Sequence, residues 1–98
     1  MEAEAPAHRQ TVAQMLATLT AFDPYGLEPG NPDGAPANEY DIEAVGIARI
    51  LLREGAVTVY DVEGVWRRCF SDSLVLRIGV TRMAQLVDRL NETGSSAL

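Results

Sequence analysis

The sequence has no lysine, one histidine and one cysteine. A solitary Cys69 excludes an intramolecular disulfide and suits a reducing compartment. Zinc needs clustered Cys and His ligands, and His8 and Cys69 stand far apart, so no metal site is expected. The same separation removes a nucleophile–histidine pair. No apolar run approaches the ~18 residues of a membrane span. The opening Met-Glu-Ala-Glu-Ala-Pro-Ala-His lacks the basic segment and apolar core of a signal peptide, so a cytoplasmic protein is expected. Gly26, Gly30 and Gly34 recur every four residues, but no Lys-Ser/Thr follows them, so they are no phosphate loop. Asn31, Asp33 and Gly34 miss the spacing of a calcium-binding EF-hand, and Pro32 and Pro36 intrude. No cofactor is therefore expected. Apolar–polar alternation is not sustained beyond Val57–Val59 and Leu74–Ile78, so no sheet is expected. No repeat recurs at 20–50 residues.

What remains is a chain of 98 residues, the length of one domain, with 47 % apolar and 22 % charged residues. Eight arginines face 14 acids, a net charge of −6. Such a balance disfavours nucleic acid and anionic membranes. It is also uneven. Residues 1–48 carry one arginine and eight acids, net −7, while residues 49–98 carry seven arginines and six acids, net +1. That asymmetry fits either an acidic interaction face for a basic partner or a solvated acidic loop.

Residues 1–9 are small and polar and read as a flexible tail. From Gln10 a helical period begins, with Val12, Met15, Leu16, Leu19 and Phe22 on one stripe. Asp23-Pro24 ends it, because proline steers the preceding residue out of the α region. Residues 23–40 hold Pro24, Pro29, Pro32 and Pro36 with three glycines, a density no helix or strand tolerates. So long a connection is usually functional or disordered. Tyr25, Leu27 and Tyr40 can pin it to a core, so an ordered excursion is expected.

Asp41 stands where a second helix would be capped. Ile42, Val45, Ala48, Ile50, Leu51 and Leu52 give that helix a broad apolar stripe, with burial expected over much of its circumference. Gly46 inside it suggests close approach of a neighbouring backbone, and Gly55 is a natural stop. Thr58 and Asp61 fit a capping box for a third helix. Its apolar face is Val59, Val62, Val65, Trp66, Cys69 and Phe70, so Cys69 is expected in the core. Residues 74–78 fit a helical extension, an extended link or a short strand. Thr81 would cap a last helix with Met83, Leu86, Val87 and Leu90 inward, ending at Gly94-Ser95-Ser96. The reading is an all-α bundle of about four helices over 10–92, with a second flexible tail at 93–98 and one long ordered Pro/Gly-rich loop between the first two helices.

Asp23 can accept backbone N–H bonds from the turn after Pro24. Acids at 39, 41 and 43 flank a helix N-terminus, whose partial positive charge favours them for stability alone. Loops and tyrosines are favoured at interfaces. Asp23, Tyr25, Leu27, Asp33, Glu39, Tyr40, Asp41 and Glu43 are therefore the candidate partner-binding residues.

The stretches Asp23-Pro24-Tyr25-Gly26-Leu27, Gly34-Ala35-Pro36-Ala37-Asn38-Glu39-Tyr40-Asp41-Ile42-Glu43-Ala44 and Val65-Trp66-Arg67-Arg68-Cys69-Phe70 resemble a small bacterial family of uncharacterised helical proteins. Its pattern reads D-P-x-G-[LV], then G-A-P-x-x-E-Y-x-x-E, then V-W-x-x-x-F. The likeness spans residues 15–75, with a longer gap over residues 28–33. It implies a stand-alone helical protein with a binding or regulatory role rather than an enzyme, and it carries no activity over.

Three functions follow. The first is a non-enzymatic protein-binding module, a small acidic adaptor, inhibitor or immunity-type protein, docking through the loop at 23–43. The second is a DNA-binding regulator using Arg67, Arg68, Arg77, Arg82 and Arg89 of the last two helices. The third is a small enzyme or accessory subunit using the loop carboxylates, which requires one of them to titrate well above the usual value near 4. The wide apolar stripes also suggest a homodimer.

Overall fold

Five helices, and no strand, occur among the described residues of the computed structural model, which are 5–97 for the backbone and 8–94 for side chains. In chain order they are α1 (Ala5–Phe22), α2 (Asp41–Glu54), α3 (Val59–Phe70), α4 (Leu74–Ile78) and α5 (Val80–Ala97). The Cα radius of gyration is 12.9 Å, that of a compact chain of this length. Helix α1 packs on α2 and α5, and α3 closes over α2 and α5.

The α1 stripe forms as its spacing dictates. Met15 and Leu19 are wholly buried, and Val12, Leu16 and Phe22 pack against them. The helix starts earlier than the sequence reading: it is already formed at Ala5, within the segment expected as a tail. Residues 1–4 of that segment lie outside the described residues. Met83, Leu86, Val87 and Leu90 of α5 face the core as expected.

Four further local expectations change or are decided. First, α2 is buried on one side only, through Ala44, Ile47, Ala48 and Leu51, while Ile42 is 70 % exposed. Second, Asp41 is the first helical residue of α2, and Tyr40 occupies its N-cap without a side-chain capping bond. Third, residues 74–78 are a short helix capped by Ser73. Gly79 alone separates it from α5, so Thr81 lies inside the first turn of α5 rather than capping it. Fourth, α5 runs on to Ala97, through the segment expected as a tail, with Leu98 outside the described residues.

Gly94 explains the last change. A Cβ there would overlap Leu51 Cδ2, so glycine lets α5 lie against α2 without ending. The Thr18 hydroxyl meets the Thr93 hydroxyl at 3.1 Å and ties α1 to the same turn of α5. Gly46 likewise admits a neighbour, but a side chain rather than a backbone. A Cβ there would stand 3.2 Å from Val65 Cγ1 on α3. The capping box on α3 forms as expected between Thr58 and Asp61. Asn91 of α5 holds both the N–H and the carbonyl of Val57, fixing the α2–α3 turn.

Candidate functional site

The loop at 23–40 is organised from its first residue. Asp23 sits at φ 52°, which turns its carboxylate back over the residues that follow. Its Oδ1 accepts the Leu27 N–H at 2.9 Å and the Tyr40 hydroxyl at 2.8 Å. Its Oδ2 accepts the Glu28 N–H at 2.9 Å. Burial alone would raise the Asp23 pKa, but the bonds from Glu28, Leu27, Tyr40 and Gly26 outweigh it and hold it below the ordinary carboxylate value. The Tyr40 hydroxyl also accepts the Tyr25 N–H at 3.2 Å, so one buried phenol links both ends of the loop. Further out, Ala35 N–H donates to the Leu27 carbonyl and Gly30 N–H to the Ala35 carbonyl. Gly34 is confined there, because a Cβ would overlap the Glu28 carbonyl.

An aromatic cluster receives this frame. Tyr25 stands edge-on to Trp66 at 6.0 Å and 5.2 Å from Phe70, and Tyr40 lies 6.2 Å from Trp66. The Tyr25 hydroxyl donates to Asp72 Oδ2 at 2.8 Å, and the Arg77 guanidinium lies 4.6 Å over the Tyr25 ring. Residues of all three stretches quoted for the family resemblance thus meet in one place.

The eight candidate residues divide into three groups. Asp23, Tyr25, Leu27 and Tyr40 build the frame, and Tyr40 is wholly buried. Glu43 is 3 % exposed and turned into the fold. Asp33 is exposed, and Glu39 and Asp41 are half-exposed. None of those three carboxylates has a hydrogen-bond or ion-pair partner among the described residues. The exposed Ile42 lies beside Asp41.

Glu43 has distinct chemistry. One carboxylate oxygen is buried without a hydrogen-bond partner. Burial raises its pKa, the nearby charges of Glu39 and Asp41 add to the rise, and its own amide and the Cys69 thiol offset only part of it. Cys69 is exposed, contrary to the core placement its apolar neighbours suggest. Burial and the Glu43 charge push its thiol pKa up, so it stays protonated and is a poor nucleophile.

These directions set a pH dependence. Glu43 is higher in the folded protein than its ordinary 4.5, so its charge opposes folding increasingly as pH rises from there through the folded value. Asp23, Asp72 and Glu63 are lowered, so their stabilisation holds above their ordinary values and is lost as pH falls through the folded ones. Stability should peak in mildly acid solution. Glu43→Gln should raise the melting temperature at pH ~8 by the equivalent of about 1 kcal/mol and change it little near pH ~5. An equal effect at both pH values would contradict the assignment.

The arginines of the last three helices are largely engaged. Arg67 pairs with Glu63 and Arg77 with Asp72. The Arg82 and Arg89 guanidinium groups lie 4.7 and 5.7 Å from the centre of the Phe22 ring. Arg68 instead lines a groove that the sequence reading missed. Helices α2 and α3 run antiparallel, with Gly46 against Val65 and Glu43 beside Cys69. Between them Gly46, Arg49, Ile50, Arg53, Tyr60, Asp61, Gly64 and Arg68 line an open groove of about 480 Å³. The signal for it was present: a glycine inside each helix, with arginine three residues after Gly46 and four after Gly64.

Among the described residues no group of three or more His, Cys, Asp or Glu side chains could hold a metal ion. No helix among them is long and apolar enough to cross a membrane. No family model, curated protein or solved structure matches the chain.

Proposed function

We propose that this chain is a non-enzymatic protein-binding module, a small acidic adaptor, inhibitor or immunity-type protein. It docks a basic partner through the loop and the start of α2. The observation that carries this reading is the Asp23 carboxylate, which holds the loop by three hydrogen bonds. A loop already fixed in shape loses little conformational entropy on binding. Asp33, Glu39 and Asp41 then form the charged contact, with Ile42 as an apolar neighbour. Asp23, Tyr25, Leu27 and Tyr40 act as its support. The family resemblance supports the same reading, since its residues are those that build the frame.

The two alternatives have less support. A DNA regulator would need open arginines, and four of the five named for it are committed to Glu63, Asp72, Tyr25 or Phe22. An enzyme would need Glu43 to meet a substrate, and that side chain is buried.

The test compares capture from cell lysate by the wild-type chain and by the triple variant Asp33→Ala, Glu39→Ala, Asp41→Ala. The proposal expects a specific protein retained by the wild type. The variant should bind it about 1–3 kcal/mol more weakly, with the same loss in wild type as salt rises from ~0.05 to ~0.3 M. Capture indifferent to both salt and the substitutions would overturn the electrostatic docking.

A further inference from the structure

We propose that the α2–α3 groove is a binding site for a small phosphorylated ligand with a planar or apolar body. It lies apart from the acidic loop and does not depend on the docking proposed above.

Charge points to an anionic ligand. Three guanidinium groups line the groove, on a chain whose net charge is −6. Arg53 is held by Glu54 at 3.0 Å. Arg49 and Arg68 have no hydrogen-bond or ion-pair partner among the described residues. The single carboxylate in the lining, Asp61, is already used, because its Oδ2 accepts the Thr58 N–H in the α3 cap. Two arginines without such a partner thus line one groove, and their forked donors suit the several oxygens of a phosphate dianion.

Gly64 points the same way. Glycine inside a helix costs about 1 kcal/mol relative to alanine, so its presence needs a reason. Gly46 has one in the packing of Val65. Gly64 has none within the fold: the position of its missing Cβ meets only Arg68 Nη1, at 3.7 Å. The space it leaves opens into the groove, where a ligand can approach the helix backbone.

The lining also suits a body attached to the phosphate. Tyr60 is 88 % exposed at the first turn of α3, and Ile50 adds an apolar surface. A ring beside a cluster of guanidinium groups accommodates a body attached to the phosphate. The volume of about 480 Å³ matches a small molecule. A polyanion is disfavoured, because the acidic remainder of the surface repels it.

The test is an NMR titration of the full ¹⁵N-labelled chain with phenyl phosphate, and separately with inorganic phosphate and benzoate. The proposal expects saturable shifts confined to residues 46–53 and 60–68, with phenyl phosphate binding at least about fivefold tighter than either of the others. Arg49→Ala with Arg68→Ala should weaken it about tenfold or more. Gly64→Leu should abolish it by filling the groove, while Gly64→Ala raises the melting temperature, and peaks outside the groove should stay in place in all three. Binding unchanged in the variants, shifts that track Arg82 and Arg89, or no saturation would overturn the site. Equal affinity for inorganic phosphate would overturn the part of the proposal that concerns the body.

Discussion

Asp23→Ala is expected to lower the melting temperature by roughly 10–25 °C. The substitution removes the acceptor of three hydrogen bonds, from Leu27 N–H, Glu28 N–H and the Tyr40 hydroxyl. Bonds to a charged acceptor count for more than neutral ones, and a buried phenol left without its partner adds desolvation cost, together about 2–4 kcal/mol. Each kcal/mol moves the midpoint of a domain this size by about 4–8 °C. Alanine also tolerates the φ of 52° at this position poorly. Asp23→Asn should cost less than half as much, since asparagine accepts that backbone conformation and keeps one oxygen for Leu27 and Tyr40. Thermal denaturation of the two variants checks the ordering. A loss below about 1 kcal/mol for the alanine variant would mean that the loop does not depend on this carboxylate.

Trp66→Ala should be the most damaging single change, at about 3–5 kcal/mol. Trp66 is the largest wholly buried side chain, and Tyr25, Tyr40 and Phe70 all contact its ring. Such a loss is a large share of the ~5–15 kcal/mol that stabilises a domain, so the variant should be at least partly unfolded at 37 °C. Trp66→Phe should fare much better than its lost volume suggests. The indole Nε1 is buried with only the Tyr25 hydroxyl near it and no well-formed hydrogen bond, so removing it forfeits little. Urea titration of both variants by circular dichroism separates these outcomes. A phenylalanine variant as unstable as the alanine one would show that the indole N–H is satisfied in solution.

The two damaging sites also explain why the loop could be recognised early and yet its use could not. The run Asp23-Pro24 followed by glycine and leucine carries a local rule: a short acid before proline accepts amides from the turn beyond. That rule works within five residues, and the Leu27 and Glu28 bonds obey it. The Met15–Leu19 stripe and the Thr58–Asp61 cap are local in the same way. Tyr40 obeys no local rule. Its helix position predicts nothing about a hydroxyl meeting Asp23 seventeen residues away. Only the return of the chain brings them together.

Glycine was misleading for a related reason. At Gly55 it stops a helix, as propensity dictates, with φ 88°. At Gly94 the same residue continues one, because Leu51 of another helix fills the place of its Cβ. Tertiary packing decided, and no property of residues 94–96 alone shows it. The arginine groove is equally non-local. Arg49 and Arg68 are exposed cations in any one-helix reading. They become a pair only when α2 and α3 run antiparallel around two glycines. Cys69 and Ile42 show the limit of apolar stripes, since tertiary packing leaves both exposed.

The central claim is that residues 23–40 are a fixed frame rather than a flexible tether, and amide hydrogen exchange measures this most directly. The account predicts that the N–H groups of Leu27, Glu28, Gly30 and Ala35 exchange far more slowly than in an unstructured peptide, and that Asp23→Ala removes the protection of Leu27 and Glu28 while α5 keeps its own. Exchange at the unstructured rate in the wild-type chain, with the helices still protected, would contradict it.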